Sequence, residues 1–179
     1  MIQAVVLPEY RSDLGMHYTS VENILKLIRP LFLDELYEEF EKHRSNVAQL
    51  RKLIARMSKM KFFDPACGSG NFLIITYKEL RALEIEILQR IIEIQTPTLL
   101  EYTEIKLSQF YGIELDDFAH EMARLSLWLA EHQMNNIFEE RLAGYGESKP
   151  ILPLKEAGRI VQGNAARKNW KEICSIWER

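Results

Sequence analysis

The stretch Phe63-Asp64-Pro65-Ala66-Cys67-Gly68-Ser69-Gly70-Asn71-Phe72-Leu73 decides how this 179-residue chain is read. An apolar pair enters it, an acid and a Pro/Gly-rich turn follow, and a helical pattern leaves it, which is how a strand turning into a helix looks. Lys61 to Phe63 is expected to be the strand. The helix is expected from Asn71, with Leu73, Ile74, Tyr77, Leu80, Leu83, Ile87, Leu88, Ile91 and Ile92 on its apolar positions, and Thr96-Pro97-Thr98 ends it.

The same pattern recurs downstream. Gln109 to Ile113 reads as a second strand, and Asp116 or Asp117 caps a helix whose Phe118, Met122, Leu125 and Leu129 fall at spacings of three and four. Leu125, Trp128 and Leu129 are expected in the core. After a polar loop rich in Gly and Pro (residues 144–153), Arg159 to Gln162 reads as a third strand that ends in Gly163-Asn164-Ala165, and a short helical tail carries Trp170 and Trp177.

Upstream, Thr19-Ser20-Val21-Glu22 has the spacing of a capping box. Val21, Ile24, Leu25 and Ile28 follow helical spacing to Pro30, where a kink or break is expected, and Leu33, Leu36, Tyr37 and Phe40 resume it. Val47, Leu50, Leu53, Ile54 and Met57 mark a further helix. The expected organisation is a helical segment over residues 1–60 and an α/β unit over 61–179, with a parallel sheet flanked by helices.

Bulk properties narrow the function. A formal net charge of -3 and a pI near 5.9 give no clustered basic excess for neutralising phosphates. Cys67 and Cys174 are too few and too distant for a disulfide framework or a zinc site, and His17, His43, His120 and His132 lack metal-ligand spacing, so solvated or capping roles are expected for them and no metal. With neither a signal core nor an apolar run long enough to span a membrane, the chain reads as soluble and cytoplasmic.

Ligands of an open parallel sheet lie beyond the carboxyl ends of its strands. Asp64, Glu114 and Gly163-Asn164 occupy those places, and Gly68 and Gly70 let a ligand approach the backbone. A dinucleotide fingerprint fits poorly, because Leu73 stands where the third glycine belongs and Glu114 comes far too late. No Gly-Lys-Ser or Gly-Lys-Thr follows, so a P-loop fits worse. Asp64 suits a ligand with a positive end, and Glu114 suits two vicinal hydroxyls.

An ammonium, a ribose and an adenine together describe S-adenosylmethionine. "FDPACGSGNFL" resembles motif I of the class I amino-methyltransferases that act on DNA adenine, "YGIELDDFAHEMARLSLWLA" their motif II, "IVQGNA" their motif III and "LGMHYTS" their motif X. "HYTSVENILKLIRPLFLDEL" and "PILPLKEAGRIVQGNA" resemble the fused restriction-modification enzymes of the MmeI-like kind, over roughly residues 12 to 172. The resemblance implies a partial Rossmann-like methyltransferase domain that uses S-adenosylmethionine. By it, Asp64 binds the methionine amino group, Ala66, Gly68 and Gly70 seat the cofactor on the backbone, and Glu114 takes the ribose hydroxyls. Leu115 packs on the adenine, Asn164 reaches its edge, and Tyr18 with Thr19 approaches the methionine carboxylate. The plainer reading makes Asp64 a turn former, Glu114 a solvated acid at a helix start, Asn164 a helix cap and Cys67 a small residue that fits the loop.

Adenine methylases of this type carry Asn, Asp or Ser, then Pro-Pro, then an aromatic residue, to hold the flipped base. The six prolines here, at 8, 30, 65, 97, 150 and 153, are all isolated, so no catalytic residue is assigned. The chain is expected to be the cofactor-binding part of a longer enzyme, inactive by itself and reaching DNA through parts of the parent protein that it lacks. A sheet of so few strands leaves an edge open, which favours self-association. Two other readings stay open: a methyltransferase acting on protein or RNA amino groups, and a non-catalytic binding module.

Overall fold

A computed structural model describes residues 19–95, 99–148 and 158–174. The expectations placed on Tyr18, on residues 96–98 and on Trp177 lie outside them.

Helix α1 (Val21–Ile28) begins one residue later than a cap at Thr19 would put it: Ser20 is the N-cap and its side chain accepts the Asn23 amide at 3.4 Å. Pro30 does not break the chain's helical course. Having no N–H to donate, it falls in a single π turn (Arg29–Leu33), in which the Asp34 amide reaches back to the Arg29 carbonyl, and α2 (Asp34–Lys42) continues. Asn46 caps α3 (Val47–Met57), which buries Leu50, Leu53, Ile54 and Met57 on one face as its spacing predicts.

Strand β1 (Phe62–Asp64), α4 (Asn71–Ile94), β2 (Phe110–Glu114), α5 (Asp117–Arg141), β3 (Arg159–Gln162) and a one-turn α6 (Trp170–Ile173) complete the order. Among the described residues the sheet is β1-β2-β3, and both pairings are parallel. The chain is therefore a partial α/β unit with a parallel sheet flanked by helices, as the strand-helix alternation predicts. The first two strands start one residue later than expected. Gln109 lies in a 3₁₀ turn instead, where its side-chain amide donates to the Met57 and Met60 carbonyls at 2.9 Å and accepts the Lys106 amide at 2.8 Å.

Register sets which strand residues share a face. Phe62 pairs with Phe110, Asp64 with Gly112, Gly112 with Ile160 and Glu114 with Gln162. Alternation then puts Asp64 and Glu114 on the face where the Phe62 and Phe110 rings stack at 5.2 Å and Tyr77 of α4 meets Phe110 edge-on. Phe63 faces the other way, against the edge of Trp170. The core is continuous from Leu36 and Phe40 through Leu50 and Leu73 to Phe138.

Two expectations about side chains are corrected. Leu125 and Leu129 of α5 are exposed, as is Phe118, and Trp128 is half-buried with its ring stacked on His132. The face turned inward carries Ala119, Ala123, Leu127, Ala130, Met134 and Phe138, because α4 approaches closely and small residues fill the contact. His120 is not solvated: its Nε2 lies 3.2 Å from the Ile160 carbonyl of β3.

The interior also contains an ion pair that apolar spacing passes over. Arg81 and Glu84, one turn apart in α4, have no exposed side-chain surface, and Arg81 Nε lies 3.2 Å from Glu84 Oε2. Arg81 also donates to Tyr77 Oη at 2.6 Å and to Asn135 Oδ1 of α5 at 2.9 Å. Glu84 accepts the Thr103 hydroxyl and the Glu104 amide, each at 2.6 Å, and so ties the segment leading to β2 onto α4.

Candidate functional site

The site grows from the ends of β1 and β2. Asp64, the last residue of β1, turns its carboxylate back so that Oδ1 accepts the Ala66 amide at 3.0 Å. This is the local turn that aspartate makes readily, and it starts the loop. The Cys67 amide donates to the Ile113 carbonyl of β2 at 3.1 Å, and the Gly70 amide to the Cys67 carbonyl at 2.8 Å. The loop is thereby closed onto the neighbouring strand before α4 begins.

Its two glycines serve different ends. Both adopt positive φ, +53° at Gly68 and +83° at Gly70, where a side chain is strained. A Cβ at Gly68 would meet none of the described residues within 4 Å, so among them that peptide is uncovered. Gly70 is buried, and a Cβ there would lie 3.2 Å from the Ala123 Cβ of α5. The structure gives Gly70 a helix-packing reason to be glycine.

Glu114, at the end of β2, reaches across to the loop: Oε2 accepts the Gly68 amide at 2.7 Å and Oε1 accepts the Asp116 amide at 2.9 Å. Its own carbonyl accepts the Gly163 amide at 2.8 Å, which draws the end of β3 to the same place. Burial holds the Asp64 carboxyl above its ordinary value; the Ala66 amide opposes the shift and the Glu114 charge adds to it. Two acids at one mouth, one of them desolvated, suit a ligand with a positive end.

The remaining predicted residues are placed as follows. Leu115 is 63% exposed beside Glu114, an apolar side chain free to meet a flat ligand. Ala66 is exposed in the loop. Asn164 is exposed after β3, and its Oδ1 caps a 3₁₀ turn by accepting the Ala166 amide at 2.9 Å. Thr19 is exposed at the entrance to α1, whose Ile24 and Ile28 form a small cluster with Phe72 and Ile75 of the first turns of α4.

Cys67 is buried, and burial together with the charges of Asp64 and Glu114 pushes its thiol up to about 12, which leaves it no thiolate character near neutrality. It packs over Gly112, where a Cβ would lie 2.8 Å from the Cys67 Sγ and 2.9 Å from Ile160 Cδ1. Gly112 is the residue that sequence reasoning missed here. The available signal was a glycine in mid-strand, which marks a close approach. Among the described residues no group of three His, Cys, Asp or Glu is placed to hold a metal ion, and no helix is long and apolar enough to cross a membrane.

Comparison with known proteins gives a consistent set of relatives. A family model described as the DNA-methyltransferase domain of MmeI matches residues 40–179. DNA methyltransferase A of Bacillus subtilis (strain 168) is 54% identical over 174 residues, which are 97% of this chain and 20% of that protein. The solved structure of the type IIL restriction-modification enzyme MmeI in complex with DNA superimposes with a TM-score of 0.84 at 41% identity, over 96% of this chain and 23% of that one. The chain thus spans about a fifth of the length of these relatives.

Proposed function

The chain belongs to the MmeI DNA-methyltransferase domain family, and from that footing we propose that it forms the S-adenosylmethionine-binding part of a DNA adenine-N6 methyltransferase of a restriction-modification system. The observation that supports this reading best is the pair of carboxylates at neighbouring strand ends, Asp64 and Glu114, joined by a loop whose Gly68 is open to a ligand and bonded to Glu114.

S-adenosylmethionine, when bound, supplies an electrophilic methyl group. Asp64 receives its ammonium, which relieves both the desolvation of the carboxylate and its repulsion from Glu114. Glu114 accepts the two ribose hydroxyls on the lone pairs that its amide bonds leave free. Leu115 offers its exposed surface to the adenine ring, and the NH₂ of Asn164 reaches the ring edge. The backbone from Ala66 to Gly70 is the floor on which the cofactor lies, and the methionine carboxylate is assigned to Thr19 and Tyr18.

DNA contact and base capture are assigned to other parts of the parent protein. The net charge of -3 supports the first assignment, and a sequence without adjacent prolines supports the second. Among the described residues β1 and β3 are the edge strands, and such an edge is where the isolated chain would self-associate.

Titration calorimetry tests the cofactor site. The 179-residue chain should bind S-adenosylmethionine, with binding weakened or lost in Asp64→Ala and Glu114→Ala; unchanged heat in both variants overturns the placement. Transfer of a radiolabelled methyl group to duplex DNA by the chain alone would overturn its assignment as a cofactor-binding part without catalysis. Monomeric behaviour in light scattering, with a sharp thermal transition, would refute self-association.

A further inference from the structure

We propose that Asp116 is a positioning residue for Glu114, and that the two together lock the loop over residues 66–68 into the form that receives the cofactor. The inference rests on the reading of Glu114 as the ribose-binding residue.

The Glu114 carboxylate is held from two sides. On one side is the Gly68 amide at 2.7 Å, from the loop after β1, and on the other the Asp116 amide at 2.9 Å, from the entrance to α5. A carboxylate on a flexible side chain needs two such guides to fix both its position and its plane. Each oxygen keeps a lone pair free, so the grip does not consume its capacity to accept hydroxyls.

The direction of the Asp116 amide is fixed by the Asp116 side chain. Asp116 is the N-cap of α5, in extended conformation at φ -76° and ψ 127°, and its Oδ1 accepts the Ala119 amide at 2.7 Å. A 25-residue helix packed on the core therefore sets how the peptide before it is turned. One aspartate thus begins the helix and aims a neighbouring carboxylate at the loop. Without its side chain the peptide between Leu115 and Asp116 can rotate, Glu114 loses one guide, and the Gly68 amide loses a fixed acceptor.

An ordinary helix cap would affect stability alone, whereas a positioning residue acts on affinity through Glu114. The test uses the 179-residue chain and four variants: Asp116→Ala, Asp116→Asn, Glu114→Ala, and the double variant with both alanines. S-adenosylmethionine affinity is measured by calorimetry, and hydrogen exchange of the Gly68 amide is followed by NMR without ligand. Asp116→Ala should weaken cofactor binding about tenfold, the scale of one hydrogen bond to a charged group. Asp116→Asn should recover most of it, since asparagine caps as well. In the Glu114→Ala background, loss of the Asp116 side chain should lower the melting temperature and cost no further affinity.

Gly68 exchange should quicken in both Asp116→Ala and Glu114→Ala. Wild-type affinity in Asp116→Ala, or additive affinity losses in the double variant, would overturn the proposal. Should the wild-type chain bind no S-adenosylmethionine, the cofactor reading fails, and Gly68 exchange still decides this one: faster exchange in Asp116→Ala upholds the positioning role, and unchanged exchange refutes it.

Discussion

Gly70 lies so close to Ala123 that a Cβ on the glycine would stand 3.2 Å from the Cβ of the alanine and 3.3 Å from its Cα. This contact, between the start of α4 and the second turn of α5, sets how near the two long helices come where they flank the site. Gly68, two residues earlier, has the same need for positive φ, but a Cβ there would meet none of the described residues within 4 Å. Gly68→Ala should therefore cost only the backbone term, about 1–2 kcal/mol. Gly70→Ala should add overpacking for a total of about 2–4 kcal/mol, and Ala123→Gly should return part of it. Urea unfolding of the three variants measures the order; equal costs at the two glycines would refute the packing account.

The contact between Cys67 and Gly112 gives a similar test on the floor of the loop. A methyl group at 112 runs into Cys67 Sγ at 2.8 Å and Ile160 Cδ1 at 2.9 Å, so Gly112→Ala should cost about 1–3 kcal/mol by forcing both neighbours to move. Cys67→Ala should relieve much of the strain in the double variant. The thiol, held near 12 by burial and two nearby acids, should alkylate far more slowly in the folded chain than in the unfolded one at mildly alkaline pH. Rapid alkylation of native Cys67 would contradict the burial.

Arg81 and Glu84 form a buried pair whose partners also engage Tyr77, Asn135, Thr103 and the Glu104 amide. Removing one member leaves the other charge buried without its partner, so Arg81→Met or Glu84→Leu alone should destabilise the chain by about 3–5 kcal/mol. The double variant should cost clearly less than the two single changes added together, which chemical denaturation of a double-mutant cycle resolves. Strict additivity would show that the two side chains act independently.

Asp64 makes stability depend on pH, with a defined sign. Burial, aided by the Glu114 charge, places its native pKa above the unfolded value, so the folded state binds the proton more tightly. The resulting stabilisation is full below the unfolded carboxylate range and is lost as pH rises through the native value. Asp64→Asn keeps an acceptor for the Ala66 amide and removes the titration. Its melting temperature relative to wild type should therefore rise as pH is raised from the ordinary carboxylate range through the elevated native value. Saturating S-adenosylmethionine should stabilise wild type and leave the variant little changed. A pH-independent difference between the two proteins would show that Asp64 does not titrate as its burial requires.

Much of the architecture was legible because its signals are short-range. Strand, acid, glycine turn and helix follow one another within about ten residues at Phe63 to Leu73, and the apolar spacing of α3 and α4 points inward as predicted. The face of α5 was misread for a physical reason. Alanines at 119, 123 and 130 make the close contact, while the larger Phe118, Leu125 and Leu129, which dominate any apolar pattern, lie outside. Likewise a strand starting at Gln109 looked natural until the fold supplied the Met57 and Met60 carbonyls that its amide caps.

The sequence by itself determined the order of the elements, the parallel sheet they imply, and the placing of Asp64 and Glu114 at strand ends, since each depends on neighbours along the chain. Only the tertiary structure decided that Glu114 binds the Gly68 amide, 46 residues away, that Gly70 is glycine for Ala123, and that Arg81 is buried against Asn135, 54 residues on. These are meetings of groups distant in sequence. Spacing cannot report them, because it records which face of an element is apolar and not which atom of another element comes to rest against it.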